Sequence, residues 1–286
     1  MSALLGATVD DVVPLSGGSI HGAWAVGLGD GRRVFVKASP ELPPGMFAAE
    51  RRGLAWLGEG LARAGAGAEG LRVPAVLACA DECLVLELLE PGPPVADFDE
   101  RLGRGLAALH RSLAPEHGFG FGFDQPNWIG SLPQANQASP DWPSFYRERR
   151  LEPLLVRAGS LVPTPLRRRF DRVFDRLDAL CGPPEPPARL HGDLWSGNLH
   201  RDAAGLPVLI DPAVYAGHRE VDLAMMRLFG GFSPRVFAAY NKAAPLAEGW
   251  ERRVDLYQLY PLLVHVGLFG GGYVPALSSA VDRLLR

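Results

Sequence analysis

Alternating apolar and polar positions near the start of the chain predict a small β-sheet. Residues 12–37 contain the alternating segment AWAVGL and the β-branched run VFVK, which are separated by the turn sequence GDG. Residues 73–90 predict two further strands joined by a turn at Asp81 and Glu82. Apolar side chains in residues 45–64 recur at helical spacing. Residues 1–90 are therefore predicted to form a β-rich N-terminal unit with one helix.

Helical periodicity dominates after the sequence PGPP at 91–94, which we take as a hinge. We predict helices over 97–114, 143–158 and 164–181, and further helices with glycine and proline breaks over 219–286. Residues 116–142 are rich in Gly, Pro and Asn, and they predict a long irregular loop of functional importance. Two short strands are predicted around LHGDLWSGNLH (190–200) and PVLIDPA (207–213). Residues 91–286 thus form a second predicted unit.

Composition narrows the class of protein. The 286 residues are 47% hydrophobic and 21% charged, which is typical of a soluble globular protein. The net charge of −3 gives no reason to expect nucleic acid or a membrane surface as a partner. There is no apolar stretch of about 18 residues and no signal-peptide pattern. The three cysteines predict neither a disulfide framework nor a zinc site, and we expect a reducing, cytoplasmic location.

The strongest chemical signal lies in two short motifs of the second unit. Asp193 and Asn198 flank a short loop, and Asp211 ends an apolar segment. In the first unit, Lys37 ends a predicted strand after a glycine-rich turn, and Glu50 lies on the following helix. Phosphoryl transfer uses such a set: a glutamate-held lysine for the phosphates, Asp and Asn oxygens for Mg²⁺, and a carboxylate that accepts the hydroxyl proton. The sequence therefore predicts a kinase-type site.

These motifs resemble those of a known superfamily. His191-Gly192-Asp193 with Asn198 matches the H-x-D-x4-N catalytic loop of protein-kinase-like enzymes, and Asp211 stands where their metal-binding D-F-G aspartate stands. The sequence is more closely similar to the fructosamine kinase (ketosamine kinase) family in the segments 16–24, 35–37, 118–136, 142–153, 191–198, 210–225 and 228–232. The resemblance implies an α+β, two-lobed protein-kinase-like fold, with a small β-rich N-terminal lobe and a larger, mainly helical C-terminal lobe.

The resemblance also implies roles for individual residues toward ATP and Mg²⁺. Lys37 would contact the phosphates and pair with Glu50, and Asp193 would be the base. Asn198 and Asp211 would be the Mg²⁺ ligands. The turn that covers the nucleotide would contain Gly17, Gly18, Ser19 and Gly22, and adenine would be bound by backbone groups of Glu87, Leu88 and Leu89.

For the acceptor, Trp195 would stack on a sugar, since an aromatic face suits the C–H face of a ring. His218 and Arg219 follow the metal-binding strand and are candidates to face the acceptor. His191 and Asp222 are expected to support the catalytic loop rather than touch substrate.

The activity implied is ATP-dependent phosphorylation of a ketosamine, either a fructosamine or a ribulosamine, so that the adduct becomes unstable and breaks down. The substrate would be a small ketosamine or a glycated protein, and we expect a monomer or weak dimer. Two alternatives stay open: a kinase for another acceptor, such as an aminoglycoside, a choline-like molecule or a free sugar, and an ATP-binding pseudokinase.

Overall fold

In the computed structural model, which describes residues 2–15, 22–39, 41–113, 118 and 120–286, the N-terminal part of the chain forms two helices and five strands. These are α1 (Ser2–Leu5), β1 (Val9–Pro14), β2 (Gly22–Leu28), β3 (Arg33–Ala38), α2 (Met46–Ala64), β4 (Val76–Ala80) and β5 (Cys83–Glu87). The strands form one antiparallel sheet in the order β1-β2-β3-β5-β4. The predicted strands and the helix at 45–64 are confirmed in this region.

The alternation of side chains in the sheet decides which residues can reach the rest of the molecule. One face buries Val26, Leu28, Val34, Val36 and Val85. On the other face, Leu84 and Leu86 pack with Phe47 and Leu54 of α2. Lys37 is paired with Leu84 across β3 and β5, so this lysine lies on the α2 side of the sheet.

Nine further α-helices and six short strands form the C-terminal part of the described chain. The strands are β6 (Asn127–Ile129), β7 (Leu132–Gln134), β8 (Ala188–Leu190), β9 (Leu199–Arg201), β10 (Pro207–Leu209) and β11 (Tyr215–Gly217), which pair as β6–β7, β8–β11 and β9–β10. The first helices are α3 (Phe98–His110), α4 (Trp142–Phe145), α5 (Glu152–Ala158), α6 (Thr164–Phe174) and α7 (Leu177–Leu180). They are followed by α8 (Glu220–Leu228), α9 (Pro234–Ala243), α10 (Trp250–Phe269) and α11 (Val274–Leu284).

Helix α2 joins the two parts through a shared core. Its residues Trp56, Leu57 and Leu61 belong to the same buried cluster as Leu102 and Leu106 of α3. Burial of apolar surface between these helices therefore stabilises both parts together. The division at residues 90 and 91 stays a prediction.

Three predicted elements differ from the structure. The loop predicted at 116–142 contains the hairpin β6–β7, and the helix predicted at 164–181 is interrupted by a turn at Asp175 and Arg176. A π-helical turn, Tyr146–Leu151, separates α4 from α5. Pro153 explains part of this irregularity, because it offers no N–H to the carbonyl of Arg149, which accepts a hydrogen bond from Arg150 Nη1 at 3.0 Å instead.

Within the described ranges, none of the helices combines the length and apolarity that crossing a bilayer requires. The three cysteines are free thiols: Cys79 and Cys83 are half-buried and Cys181 is buried.

The close crossing of α3 and α9 generates a stability prediction. A Cβ atom at Gly103 of α3 would lie 2.3 Å from the carbonyl oxygen of Val236 in α9. We expect Gly103→Ala to lower the free energy of unfolding by about 1–3 kcal/mol, because the two backbones must move apart. Gly58→Ala in α2 is the matched control, since its Cβ would make an ordinary 3.6 Å contact with Val73. Denaturant unfolding should show no loss for Gly58→Ala; equal losses for both variants would contradict the interpretation.

Candidate active site

A cavity of about 500 Å³ lies between the N-terminal sheet and the C-terminal part of the chain. Its walls bring together residues that are far apart in sequence: Lys37, Glu50, Glu87, Leu88, Leu89, Asp193, Trp195, Asn198 and Asp211. Apolar side chains that include Phe35, Leu86 and Ile210 complete the lining. The cavity therefore joins an apolar region near β5 to a charged region at the loop of residues 191–198, which we call the catalytic loop.

Lys37 is the centre of the charged region. Its Nζ atom lies 2.7 Å from Glu50 Oε1 and also donates a hydrogen bond to Asp211 Oδ1. The side chains of Lys37 and Glu50 are only 8% and 13% exposed, whereas that of Asp211 is 43% exposed. Burial alone would lower the pKa of Lys37, but the two carboxylates raise it, so the amine stays charged. Burial raises the pKa of Glu50, and the nearby ammonium of Lys37 opposes that rise.

Asp222 holds the backbone of the catalytic loop. Its Oδ2 accepts from the backbone N–H of His191 at 2.8 Å, and its Oδ1 accepts from that of Gly192 at 2.9 Å. The buried ring of His110 also lies against Asp222, with Nε2 3.1 Å from Oδ2. Burial would raise the pKa of Asp222, but the hydrogen bond and charge of His110 and the donated N–H bonds lower it. An ionised Asp222 thus holds the backbone of the first two residues of the loop, 191 and 192.

His191 links the loop to the segment that ends at Asp211. Its Nε2 lies 2.9 Å from the carbonyl oxygen of Ile210, and its Nδ1 accepts from the backbone N–H of Asp193 at 3.3 Å. This pairing requires a neutral ring protonated on Nε2. Burial lowers the pKa of His191, in agreement with the neutral form. Neither His191 nor Asp222 is among the residues that line the cavity.

Positive φ angles at Gly192 and Asp211 position the acidic side chains of the site. Gly192 has φ of 85°, and a Cβ atom there would lie 2.0 Å from the carbonyl oxygen of Ala213. Only glycine fits this close approach, which explains why the residue after His191 carries no side chain. Asp211 has φ of 55°, a left-handed conformation that is uncommon outside glycine and is often associated with functional sites.

Asp193 is a buried carboxylate among other acids. Burial, together with the charges of Asp211 and Asp222, raises the pKa of Asp193 to about 7, although a hydrogen bond from Asn198 opposes this rise. Asn198 Nδ2 donates to the carbonyl oxygen of Asp193 at 2.8 Å and to its Oδ2 at 3.3 Å. A carboxyl group with a pKa near neutrality can accept a proton from a hydroxyl group.

Oxygen donors for a hard cation are available beside Asp193. The hydrogen bonds of the Asn198 side chain to described residues all use Nδ2, so Oδ1 is left for another partner. Asp211 is partly exposed and offers two carboxylate oxygens. One amide and one carboxylate oxygen, supplemented by phosphate oxygens and water, match the ligands that Mg²⁺ prefers.

At the other end of the cavity, the side chain of Glu87 is already engaged. It accepts from the backbone N–H of Ala75 at 2.9 Å and forms an ion pair with Arg72 at 2.7 Å. By contrast, the backbone N–H and C=O groups of Leu88 and Leu89 make no hydrogen bond to a described residue. Both residues are half-buried and line the cavity, so their backbone groups are available to bind a planar ring with edge donors and acceptors.

The structure does not bring every predicted residue to the cavity. Gly17, Gly18 and Ser19 lie outside the described residues. Gly22 does not line the cavity; the indole ring of Trp24 packs over it instead.

His218 and Arg219 are also placed elsewhere, contrary to the expectation that they face the acceptor. The ring of His218 is 3% exposed and stacks on Tyr257, with centroids 5.1 Å apart. Burial lowers the pKa of His218 to about 4. Arg219 binds both carboxylate oxygens of Glu185.

These two residues belong to a buried ion network. The acid groups of Glu185 and Glu220 lie within 4.8 Å of His218, an arrangement that could hold a metal ion. Each carboxylate, however, already pairs with an arginine, Glu185 with Arg219 and Glu220 with Arg253. The arginines therefore neutralise the negative charge of both glutamates, and no charge of this pair is left to attract a metal ion. The network instead stabilises the start of helix α8, where Glu220 lies.

Sequence reasoning missed the contribution of the hairpin β6–β7. Asn127, Trp128 and Gly130 line the cavity. Buried amides tie this hairpin to the segment after Asp211: Asn127 Nδ2 donates to the carbonyl oxygen of Val214 at 2.8 Å, and Gln134 Nε2 donates to that of Ala213 at 3.1 Å. The composition of residues 116–142 predicted a functional loop, but it assigned no role to individual residues of the hairpin.

Comparison with known proteins gives a consistent result. A family model described as fructosamine kinase matches residues 2–286. The chain is 41% identical over 273 residues to a probable ketoamine kinase of Thermus thermophilus, covering 94% of this chain and 92% of that protein. It is 34% identical over 288 residues to a chloroplastic protein-ribulosamine 3-kinase of Oryza sativa subsp. japonica, covering 97% of this chain and 80% of that protein.

Solved structures support the same fold. A putative fructosamine-3-kinase from Thermobifida fusca superposes with a TM-score of 0.87 at 42% identity, covering 100% of this chain and 96% of that one. The aminoglycoside phosphotransferase APH(4)-Ia gives a TM-score of 0.62 at 17% identity, covering 97% and 95% of the two chains, which shows likeness of fold alone. The expected α+β, two-lobed protein-kinase-like fold is confirmed.

The raised pKa of Asp193 generates a pH-dependent stability prediction. Because the folded-state pKa of about 7 lies above the ordinary value of 3.8, ionising Asp193 destabilises the folded protein increasingly as the pH rises from about 4 to about 7. Asp193→Asn cannot ionise, so in metal-free buffer its Tm should exceed that of the wild type at pH 8 by at least about 2 °C, and the gap should shrink toward pH 5. Asp171→Asn, at an exposed position in α6, is the control. A gap that does not change with pH would refute the prediction.

A second prediction concerns the loop backbone. Gly192→Ala should lower the free energy of unfolding by about 1–3 kcal/mol and speed hydrogen exchange at the N–H groups of residues 191 and 192, because the new methyl group displaces them from Asp222. Gly271→Ala adds a methyl group in open space and should change neither quantity. Unchanged exchange in Gly192→Ala would mean that the loop tolerates the side chain.

Proposed function

The chain belongs to the fructosamine kinase family, and on that premise we propose that it transfers a phosphoryl group from Mg²⁺-bound ATP to a sugar hydroxyl of a ketosamine. The observation that carries the proposal is the convergence of Lys37, Asp193, Asn198 and Asp211 on one cavity. Each supplies a group that phosphoryl transfer requires, and the surrounding apolar lining has room for a base and a ribose.

In this proposal, the buried ammonium of Lys37 donates hydrogen bonds to phosphate oxygens and keeps its charge through Glu50. The free backbone groups of Leu88 and Leu89 pair with the edge of adenine. Because Lys37 is already held in place by Glu50 at 2.7 Å, little side-chain freedom is lost when the phosphates bind.

Asn198 Oδ1 and the carboxylate of Asp211 would hold Mg²⁺. The bound ion would neutralise charge on the phosphate oxygens and orient the transferred group. Asp211 is suited to this role because its unusual backbone conformation and the amide bonds of the β6–β7 hairpin to residues 213 and 214 fix its position.

Asp193 acts as the general base. The acceptor hydroxyl forms a new O–P bond while its proton passes to an Oδ atom of Asp193, and the bond between phosphorus and the ADP leaving oxygen breaks. Burial beside Asp211 and Asp222 makes the carboxylate of Asp193 basic enough for this task. The hydrogen bond from Asn198 Nδ2 to Asp193 Oδ2 restricts the orientation of that carboxylate.

Trp195 provides the surface for the sugar. Its side chain lines the cavity and remains 38% exposed, with the edge of Phe229 packed near its ring at a centroid distance of 6.5 Å. An exposed indole two residues from the base can stack on a sugar ring and present a hydroxyl to Asp193. Phosphorylation of the adduct makes it unstable, so the proposed role is deglycation of metabolites or proteins.

Initial rates of ADP release with Mg·ATP test the proposal. The acceptor panel is ribulose-lysine, fructose-lysine, a free ketose and kanamycin. We expect turnover of at least one ketosamine, and a loss of at least about 10³-fold in Asp193→Asn, because the proton acceptor is removed. Asp171→Asn should keep the wild-type rate.

If only kanamycin or the free ketose is turned over, the protein is still a kinase, but its acceptor is not a ketosamine. Binding of ATP without turnover of any acceptor, at the same enzyme concentration, would favour the pseudokinase alternative.

A further inference from the structure

A second cavity, of about 440 Å³, lies directly beside the catalytic loop. It is lined by the segment that leads from the sheet into α3 and by the start of that helix, including Val95, Phe98 and Asp99, and by Ser196, Leu199 and Arg201. Ser196 directly follows Trp195, which lines the first cavity, so the two cavities adjoin the same short stretch of chain. A ligand held at Trp195 could extend into the second cavity.

The wall formed by the 92–95 segment is fixed in place. The backbone N–H of Gly92 donates to the carbonyl oxygen of Asp202 at 2.9 Å, and that of Val95 donates to the carbonyl oxygen of Gly205 at 3.3 Å. The segment is therefore held against the β9–β10 turn, and the cavity is a preformed feature of the fold rather than a gap between mobile loops.

Two opposite charges in this cavity have no side-chain partner within the part of the chain that the structure describes. Neither Arg201 nor Asp99 forms an ion pair or side-chain hydrogen bond with a described residue. The neighbour of Arg201, Asp202, is taken by Arg72 at 3.0 Å and by the backbone N–H of Leu206 at 2.9 Å.

The cation near Asp99 is likewise engaged elsewhere. Arg235, whose charge acts on Asp99 only at longer range, binds Glu100 through two nitrogens at 2.6 and 2.9 Å. The guanidinium of Arg201 and the carboxylate of Asp99 thus have no ion-pair partner among the described residues, and both line the cavity together with the apolar residues Val95, Phe98 and Leu199.

The distance from the reaction centre suits an amino-acid carrier. Ser196 is three residues from Asp193, and three residues span at most about 11 Å. In a ketosamine of lysine, the methylene chain places the α-carbon roughly 10 Å from the sugar hydroxyls, given ordinary bond lengths of about 1.5 Å. The α-carboxylate and α-ammonium of a free lysine adduct would therefore reach the second cavity while the sugar lies at Trp195.

We propose that this second cavity binds the amino-acid end of a free ketosamine, with Arg201 pairing with its α-carboxylate and Asp99 with its α-ammonium. The inference rests on the proposed function and refines its substrate class. A lysine residue within a protein chain has neither charge at its α-carbon, because both groups are in peptide bonds. The enzyme should therefore prefer free glycated lysine to the same sugar on a protein.

Matched acceptors test the proposal. The ribulose adducts of lysine and of cadaverine share the sugar, the amine and the methylene chain, but the cadaverine adduct lacks the carboxylate. The wild-type enzyme should show a kcat/KM about tenfold higher for the lysine adduct, mainly through KM, since a tenfold factor corresponds to one charge-assisted contact of about 1.4 kcal/mol. Arg201→Gln should remove this preference by lowering kcat/KM for the lysine adduct alone.

The second charge has its own comparison. Asp99→Asn should lower kcat/KM about tenfold for ribulose-lysine, but not for the Nα-acetyl-lysine adduct, which has no α-ammonium. Arg168→Gln, at an exposed position in α6 that does not line the cavity, is the control for removal of a positive charge and should leave the preference unchanged.

The outcomes separate the inference from the proposed function. Turnover of both adducts with equal kcat/KM, or an Arg201→Gln variant that slows both equally, would overturn the second cavity as a carrier site and leave the ketosamine kinase proposal intact. If the wild type turns over neither these ribulose adducts nor the corresponding fructose adducts, the proposed function is overturned and this inference with it.

Discussion

The interaction on which the site depends is the contact of one buried lysine with two carboxylates. Lys37 from strand β3 reaches Glu50 of helix α2 and Asp211 of the C-terminal part, so a single ammonium joins three separate elements. Without this cation, a buried Glu50 would carry an uncompensated charge, which proteins seldom tolerate. The neutralisation of acid charge therefore fixes how the sheet and helix α2 meet the catalytic segment.

The catalytic loop adds a second constraint, which is geometric. Asp222 accepts the N–H groups of residues 191 and 192, and the bare backbone at Gly192 allows the carbonyl of Ala213 to approach. The same arrangement places Asp193 near Asp211 and Asp222, where burial and like charge raise its pKa. The hydrogen bonds that define the loop shape thus also place Asp193 where its pKa is raised, which is the property that the proposed general base requires.

In our proposal, the two cavities bind different parts of one ligand. The larger cavity combines apolar walls with the charged groups proposed for phosphoryl transfer, and the second is lined by Arg201 and Asp99, which have no ion-pair partner among the described residues. Membership of the family fixes the reaction class but not the carrier of the sugar. Unpaired charges at a fixed distance from the base are the kind of feature that can discriminate among carriers, because a ligand without matching charges leaves them without partners.

Residue type and spacing determined much of this protein from the sequence alone. The convergence of Lys37, Glu50, Asp193, Asn198 and Asp211 on one cavity was predictable, because phosphoryl transfer accepts few substitutes for each group. Strands and helices such as β3 and α2 followed from side-chain periodicity. Only the tertiary structure decided that His218 and Arg219 turn into a buried ion network, that the β6–β7 hairpin braces the segment after Asp211, and that Arg201 and Asp99 share a cavity. These depend on how distant elements pack, and local sequence patterns carry no information about which side chains remain unpaired once that packing is complete.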